Sequence, residues 1–376
     1  MSIRKRARRR SARPSNGRLR RFRPGGKWKG RRASRSRAAP KAGTGRGLDA
    51  SGVAQRAFTA GREAALQADE GADGGVIRLL NRSWNGWRST ERAASWTWSL
   101  YHEAADKFVA GFESVKGVRL GNPVLVPTTK TIGAVVTAMN EEKAIPVVLE
   151  QLERLPLDEL VIVVNGSVDR TFWNARKPGK GVVVHYARPL GHDVGRAVGA
   201  KLIRSDIVLF MDGDFPIFAD HLLPFIDAVE TGTDVSLNDI MPYIDVFSSR
   251  DQVTIVKEML NRALGRADLE ANSMTAVPHA LSRRALDTIG CASLIVPPKA
   301  QAMAIRSGLK VEAGPSIDVI AKNRVRDKNS GHDNPVGRMI IGDHLEAFEL
   351  LMRENGARLH AADVIRDRQA LGRASS

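Results

Sequence analysis

An apolar run that ends in two aspartates constrains this chain more than any other stretch. Residues 207–211 are all apolar, and Asp212, Gly213 and Asp214 follow directly. Such a run, with β-branched residues at its start, predicts a strand buried on both faces, as in a parallel sheet. Open α/β sheets bind ligands at the carboxyl ends of their strands, so these carboxylates are placed to hold a Mg²⁺ or Mn²⁺ ion through oxygen. An ordinary Asp-Gly turn after a strand is the alternative.

Candidate strands and helices alternate beyond Pro123. The strands are at 131–138, 159–164, 181–186 and 206–212, and the intervening helices at 142–154 and 193–204. This alternation predicts a doubly wound α/β fold, a mostly parallel sheet with helices on both faces. Further helices are expected at 217–229, 249–264, 282–289 and 338–355, the last with Ile341, Leu345, Phe348 and Leu351 at helical spacing. Residues 324–332 have the composition of a mobile basic loop.

The positive charge of the chain is concentrated at its amino terminus. Residues 1–48 hold 19 of the 58 Lys and Arg residues and none of the 41 acidic ones. This segment has too few large apolar residues to offset its ordering entropy, so we expect it to be disordered. It is suited to tether the protein to a polyanion, either an anionic membrane surface or nucleic acid. A solvated, solubilising tail is the alternative.

Residues 49–122 have a helical composition and contain four tryptophans within a short stretch, Trp84, Trp87, Trp96 and Trp98. We expect this segment to form helices that pack on the main domain, with an interfacial membrane patch as the alternative. The single cysteine, Cys291, excludes an internal disulfide. No apolar stretch approaches the length that spans a bilayer, so we expect a cytoplasmic protein that is at most peripheral at the membrane.

Three polar clusters precede the acidic pair, at 137–142, 165–171 and 190–196. Each lies at the end of a predicted strand or the start of a predicted helix, where backbone N–H groups favour anions. Taken singly, each cluster could be a helix cap or a turn. Their order and spacing favour one shared site.

The ordered set resembles the family 2 glycosyltransferases, which have the nucleotide-sugar-binding GT-A fold. The resemblance rests on Asn140-Glu141, on Gly166-Ser167-Val168-Asp169-Arg170-Thr171, and on Asp212-Gly213-Asp214, with Arg196 and Gly199 at the usual distance before the acidic pair. It implies a GT-A domain over 123–335, followed by a helical extension over 336–376. The chain is most similar to non-processive branches such as dolichyl-phosphate mannosyltransferase and glucosyl-phosphoglycerate synthase.

The resemblance also implies roles for individual residues. Asp212 and Asp214, with His332, would bind Mg²⁺ or Mn²⁺, and Asp212, Asp214 and Arg196 would act in catalysis. The nucleotide-sugar donor would be bound by residues of all the clusters, namely Ala138, Asn140, Glu141, Asn165, Ser167, Asp169, Gly191, Arg196 and Asp212.

Two departures from the family pattern concern the chemistry. Val164 and Asn165 stand where the family usually has two acids, and Pro297-Pro298 stands in place of its acceptor-side Glu-Asp pair. A sugar hydroxyl acceptor needs a general base, whereas a phosphate or carboxylate acceptor is already ionised. We therefore expect an ionised acceptor or retention of anomeric configuration, with Asp333 as the possible substitute base.

Two other functions stay open at this point. A sugar-nucleotide pyrophosphorylase shares this type of sheet, but its Gly-rich amino-terminal loop is absent here. A catalytically inactive scaffold, tethered by the basic tail, is consistent with Val164 and with the two prolines.

Overall fold

The structure is a computed structural model, and it describes residues 50–68, 75–91, 93–176, 181–244, 246–320 and 334–359. All of these lie in the second of the two units into which the chain divides, Asp49–Ser376. The predicted disordered tail, the predicted basic loop, His332 and Asp333 lie outside the described residues.

One seven-stranded sheet organises the described part of the chain. Its strands are β1 (Ile132–Ala138), β2 (Glu159–Asn165), β3 (Val182–Tyr186), β4 (Ile207–Asp212), β5 (Val235–Leu237), β6 (His279–Ser282) and β7 (Val311–Ala313). The order across the sheet is β3-β2-β1-β4-β6-β5-β7. All neighbouring strands run parallel except β6, which is antiparallel to β4 and to β5. The predicted α/β fold class is confirmed, and the four predicted strands match β1 to β4 to within one residue.

The helices before the sheet are α1 (Ala50–Gln67), α2 (Val76–Thr90) and α3 (Trp98–Lys116). Those among the strands are α4 (Ile145–Glu153), α5 (Thr171–Ala175), α6 (Val194–Leu202), α7 (Leu223–Glu230), α8 (Gln252–Ala263), α9 (Arg283–Ile289) and α10 (Pro297–Arg306). The last is α11 (Pro335–Asn355). The sequence reasoning missed β5, β6, β7, α5 and α10.

Strand β4 is buried on both faces, as predicted. Ile207, Leu209 and Met211 belong to one apolar cluster, while Val208 and Phe210 belong to a second cluster on the opposite face. Alternate residues of a strand point to opposite faces, so a strand covered on both sides needs an unbroken apolar sequence. Only its last residue, Asp212, reaches solvent.

Helix α6 lies unusually close to the sheet because two of its residues are glycines. A Cβ at Gly199 would lie 2.2 Å from Val135 Cγ1, and one at Gly195 would lie 2.9 Å from Thr137 Cγ2. The helix leads from β3 back to the parallel strand β4, so its amino terminus lies at the carboxyl edge of the sheet. Residues at the start of α6 therefore share that edge with Asp212.

The tryptophan-rich segment packs on the main domain, as predicted. Trp84 is fully buried in the apolar cluster that also contains residues of β1 and β4. Its Nε1–H donates a hydrogen bond to the Tyr101 hydroxyl at 2.9 Å, and that hydroxyl donates to the carbonyl of Leu125 at 3.0 Å. These bonds satisfy the polar atoms that burial of Trp and Tyr would otherwise leave without partners.

The prediction of which residues form the buried face of α11 was partly wrong. Phe348 and Leu351 are buried, but Leu345 is 59% exposed. The fully buried positions also include Ala347 and the polar His344, so the helix is rotated from the orientation that its largest apolar residues suggest. None of the described helices is both long and apolar enough to span a bilayer.

Candidate active site

The parallel strands bring the predicted site clusters to one edge of the sheet. In the register of β1 with its neighbours, Thr137 lies beside Asp212 of β4, and Ala138 lies beside Val164 of β2. The loops that follow these three strands therefore leave the sheet at the same edge. This edge is where an open α/β sheet binds its ligands.

Asp212 is held by groups from two other elements. Its Oδ1 accepts a hydrogen bond from Thr137 Oγ1 at 2.9 Å and lies 3.7 Å from Arg196 Nη2. Its side chain is 34% exposed, so the carboxylate is positioned by the protein and still accessible to a ligand. Asp214, two residues on, is half-buried.

Gly213 is required by its close approach to the neighbouring strand β1. Its backbone is not in the left-handed region. Its N–H donates to the carbonyl of Thr137 at 2.7 Å, and a Cβ would lie 2.9 Å from the Cβ of Ala138. Ala138, which was predicted to bind the donor, thus packs against the glycine of the acidic pair.

The donor set suits a cation that shares its ligands with phosphate. Within the described residues, no cluster of three or more His, Cys, Asp or Glu side chains could enclose a metal ion. Mg²⁺ is commonly held by one or two carboxylates together with substrate phosphates and water. Asp212 and Asp214 fit this arrangement, while the predicted third ligand, His332, lies outside the described residues.

Asn140 and Ser167 link the loops that follow β1 and β2. The N–H of Asn140 donates to Ser167 Oγ at 3.0 Å, and Asn140 Oδ1 accepts from the N–H of Val168 at 2.9 Å. Asn140 has a φ of 58°, a left-handed conformation that Asn tolerates better than most residues. These two predicted donor-binding residues therefore also hold the two loops against each other.

Asp169 also links these two loops through hydrogen bonds. Its carboxylate accepts from the N–H of Glu142 at 3.1 Å, and from the N–H and the hydroxyl of Thr171 at 2.9 and 2.5 Å. Burial alone would raise the pKa of Asp169, but these hydrogen bonds outweigh it and the pKa is lowered. The neighbouring Glu141 is almost completely buried.

The departures at Val164 and Asn165 have physical explanations. Val164 is fully buried in the apolar core, where a carboxylate would be strongly unfavourable. Asn165 Nδ2 donates to the carbonyl of Gly191 at 2.8 Å, while its Oδ1 accepts from the N–H of Leu190 at 2.8 Å. An ionised Asp has no donor and could make only the second bond. The amide therefore ties the end of β2 to the loop before α6, in which Gly191 has a φ of 110°.

Arg196 is buried beside Asp212. Its Nη1 is 3.0 Å from Asp193 Oδ1 and donates to the carbonyl of Met274 at 3.1 Å. The side chains of Arg196 and Asp193 are 3% and 4% exposed. Burial would raise the pKa of Asp193, but the charge of Arg196 and a hydrogen bond from His192 lower it overall. Arg196 thus connects α6 to Asp212 and to the loop before β6.

His192 is a site residue that the sequence reasoning did not select. Its Nδ1 is 3.0 Å from Asp193 Oδ2, and its side chain is 48% exposed at the carboxyl edge. The hydrogen bond with Asp193 raises the pKa of His192 above its ordinary value, against the opposing effect of burial. The adjacent His-Asp pair at the start of a predicted helix was the available signal.

The start of α10 explains how the chain accommodates prolines in place of an acidic pair. Pro297 and Pro298 form the buried first turn of the helix, where a missing N–H is tolerated. One turn later, the buried Gln301 accepts from the N–H of Met274 at 2.8 Å and donates to Asn261 Oδ1 at 2.7 Å. This amide supports the loop that holds Arg196. Residues 295–304 contain no carboxylate.

Fold and site together define an α/β protein with acidic and amide side chains gathered at the carboxyl ends of β1, β2 and β4. Residues 134–290 match the model of glycosyl transferase family 2. The matched segment includes strands β2 to β4 and both carboxylates of the acidic pair, Asp212 and Asp214.

Individual relatives are more distant. A 4,4'-diaponeurosporenoate glycosyltransferase of Staphylococcus haemolyticus (strain JCSC1435) is 29% identical over 140 residues, which are 35% of this chain and 37% of that protein. The chain thus spans little more than a third of the length of that relative. Glucosyl-3-phosphoglycerate synthase of Mycobacterium tuberculosis, solved with Mn²⁺, uridine diphosphate and phosphoglyceric acid, is 20% identical, with a TM-score of 0.45 over 58% of this chain and 78% of that one. Another structure of that synthase is 22% identical, with a TM-score of 0.44 over 58% and 80% of the two chains.

Proposed function

We propose that this chain transfers a sugar from a nucleoside diphosphate sugar to an acceptor, with Mg²⁺ or Mn²⁺ as cofactor. The observation that carries the proposal is the pair Asp212 and Asp214 at the carboxyl end of β4, within the segment that matches glycosyl transferase family 2. A bound cation would neutralise charge that develops on the departing diphosphate.

The chain's own residues divide the remaining work. Asn140, Ser167 and Asp169 join the loops after β1 and β2, and Asn165 joins the end of β2 to the loop before α6. The base and ribose would lie against the wall that these contacts form. Thr137 and Arg196 fix the orientation of Asp212. Because the protein's own groups make these contacts, they would restrain the side chains and reduce the ordering that opposes donor binding.

We further propose that the acceptor nucleophile is ionised at neutral pH, or that the anomeric configuration is retained. The support is the absence of any carboxylate in residues 295–304, where buried prolines begin α10. The relative from Staphylococcus haemolyticus is named for a carboxylate, diaponeurosporenoate, which agrees with the first branch. NMR of the product decides: an anomeric ester supports an ionised acceptor, and a retained glycosidic linkage supports the second branch. An inverted linkage to a neutral hydroxyl would contradict both.

The donor is identified by thermal unfolding of the full chain with UDP-, GDP-, CDP- and dTDP-sugars, each with and without Mn²⁺. A ligand that binds only the folded state stabilises it by about 2.7 kcal/mol at a hundred times its Kd. We expect one nucleotide to raise the Tm, and to do so only with the metal. If no nucleotide sugar changes the Tm under either condition, the proposed function is wrong.

We also propose that residues 1–48 bind a polyanion and so hold a cytoplasmic protein at an anionic membrane surface or on nucleic acid. The support is the charge of the segment, with 19 Lys and Arg residues and no acidic one. Contacts of this kind are electrostatic, so they weaken as salt rises.

A further inference from the structure

We propose that His192 donates a hydrogen bond from Nε2 to the β-phosphate of the bound donor, and so stabilises the diphosphate as it leaves. The inference rests on the proposed function and adds to it a residue that contacts the leaving group. It is based on four side chains that contact one another in succession across the site: His192, Asp193, Arg196 and Asp212.

Asp193 fixes the orientation of the imidazole. His192 Nδ1 lies 3.0 Å from Asp193 Oδ2, so the Nδ1–H donates to a carboxylate that is itself almost completely buried. The other oxygen of that carboxylate is held 3.0 Å from Arg196 Nη1. An imidazole held in this way at Nδ1 presents Nε2 to a ligand, as in other His-Asp pairs. Among the residues that the structure describes, Nε2 of His192 has no hydrogen-bond partner.

The position of His192 matches the part of the donor that it would contact. On one side lies Gly191, whose carbonyl is bonded to Asn165 at the end of β2. On the other side, one turn into α6, lies Arg196, which reaches Asp212. His192 is thus placed between the wall proposed for the base and ribose and the carboxylates proposed for the metal. In a nucleotide sugar the diphosphate follows the ribose and is the group that the metal would bind. The diphosphate would therefore lie next to His192.

The exposure of the neighbouring side chains also favours His192 for this contact. Arg196, the residue predicted from the sequence to lie near the diphosphate, is 3% exposed and already bound to Asp193 and to a backbone carbonyl. The side chain of His192 is 48% exposed. Arg196 therefore serves to hold Asp193 and Asp212, while His192 is free to reach a ligand.

The charges around His192 determine its protonation. The hydrogen bond with Asp193 and the charges of Asp193 and Asp212 raise the pKa of His192, while burial and the charge of Arg196 lower it, with a net increase. From α11, Asp343 also faces the imidazole: burial and the charges of Asp193 and Glu346 raise the pKa of Asp343, and the charge of His192 opposes this rise only in part. His279 of β6, which faces Asp193, is neutral because burial lowers its pKa to about 3. A diphosphate anion would stabilise the imidazolium further.

The step conserves atoms and charge without an additional reactant. The bond between the anomeric carbon and the β-phosphate oxygen breaks, and its electron pair leaves with that oxygen. An ionised acceptor oxygen forms the new bond to the anomeric carbon directly. A hydroxyl acceptor, in the retaining branch, transfers its proton to the departing diphosphate. The proton stays on Nε2, and its hydrogen bond strengthens as negative charge develops on the diphosphate. An interaction that is stronger in the transition state than in the ground state accelerates the reaction.

The first test measures the pKa of His192 by NMR of the ring Cε1–H in the full chain, with and without UDP and Mg²⁺. Bound diphosphate should raise the pKa of His192 by about one unit. The ring signal of the exposed His221 is the internal control. If UDP binds, as judged by Tm, and the signal of His192 does not move, this inference is wrong while the proposed donor site stands. If no nucleotide binds, both are wrong.

The second test compares His192→Gln with His221→Gln in turnover of the donor that the panel identifies. Loss of a hydrogen bond to developing charge should lower kcat about 10- to 100-fold for His192→Gln, with little change in the KM for the donor. The rate of the wild type should fall as pH rises through the pKa of His192, and Asp193→Asn should move that fall to lower pH. A wild-type kcat and pH profile in His192→Gln would overturn the inference. If Asp193→Asn does not fold, the NMR shift and His192→Gln still decide.

Discussion

Arg196 and Asp193 form a buried ion pair at the amino end of α6, with Nη1 3.0 Å from Oδ1 and both side chains almost inaccessible to solvent. The pair links the proposed site to the core, because Arg196 also donates to Met274 and approaches Asp212. Removing either partner would leave the other charge buried and uncompensated.

Arg196→Met should therefore destabilise the fold by about 3–5 kcal/mol, the usual cost of breaking a buried ion pair from one side. The matched control is Arg353→Met, which breaks an exposed ion pair on α11, with Arg353 Nη2 2.6 Å from Glu349 Oε1. This control should change stability by less than about 0.5 kcal/mol. Urea unfolding of the three proteins measures both effects. Equal stabilities would show that the pair does not support the fold.

Gly199→Ala should lower the free energy of unfolding by about 1–3 kcal/mol, because the added methyl would lie 2.2 Å from Val135 Cγ1 and force α6 away from the sheet. In the same assay, Gly86→Ala in α2 has nothing within 4 Å of the new methyl. It should stabilise by about 0.5–1 kcal/mol through helix propensity. If Gly199→Ala and Gly86→Ala were equally stable, α6 would have room for a methyl group between Gly199 and the sheet.

Asp343 should destabilise the fold at neutral pH. Burial, and then the charges of Asp193 and Glu346, raise its pKa to about 6 from an ordinary value of 3.8. Between these pH values the folded state binds more protons than the unfolded state, so stability falls as pH rises. Asp343→Asn should thus gain stability relative to the wild type as pH increases from 4 to 7, whereas Glu349→Gln, exposed on the same helix, should not. A pH-independent difference would refute the raised pKa.

Deletion of residues 1–48 should leave donor-dependent stabilisation of the remaining chain unchanged and weaken binding to anionic vesicles. The reason is that the segment contains 19 basic residues and no acidic one, whereas all proposed site residues lie beyond it. Rising salt should reduce vesicle binding of the full chain in the same way, since the Debye length shrinks to about 3 Å at 1 M. Unchanged binding after deletion would exclude the tail as the tether.

The sequence was sufficient to predict β1 to β4 because long runs of buried, β-branched residues are a strong local signal. Strands β5, β6 and β7 have only three or four residues each, and the antiparallel insertion of β6 depends on pairing with distant segments. Pro297 and Pro298 stand in place of the family's acidic pair and also begin α10, a helix that no apolar periodicity in the sequence indicates.

The same distinction applies to the site. The position of Asp212 at the sheet edge follows from its place at the end of a strand, so it could be predicted. The contacts from Asn165 to Gly191 and from Arg196 to Asp193 depend on side-chain orientation between separate segments, which no local pattern encodes. For His192 the adjacent His-Asp pair was visible in the sequence, but the hydrogen bond between the two side chains is seen only in the structure.

The central claim is tested most directly by Asp214→Asn. Calorimetric titration with the nucleotide sugar that the panel identifies, with and without Mn²⁺, compares this variant with the wild type and with Asp287→Asn, whose side chain is 68% exposed on α9. We expect metal-dependent binding in the wild type and in Asp287→Asn, and its loss in Asp214→Asn with the Tm of the unliganded protein retained. Metal-dependent binding by Asp214→Asn at the affinity of the wild type would contradict the assignment of the metal site.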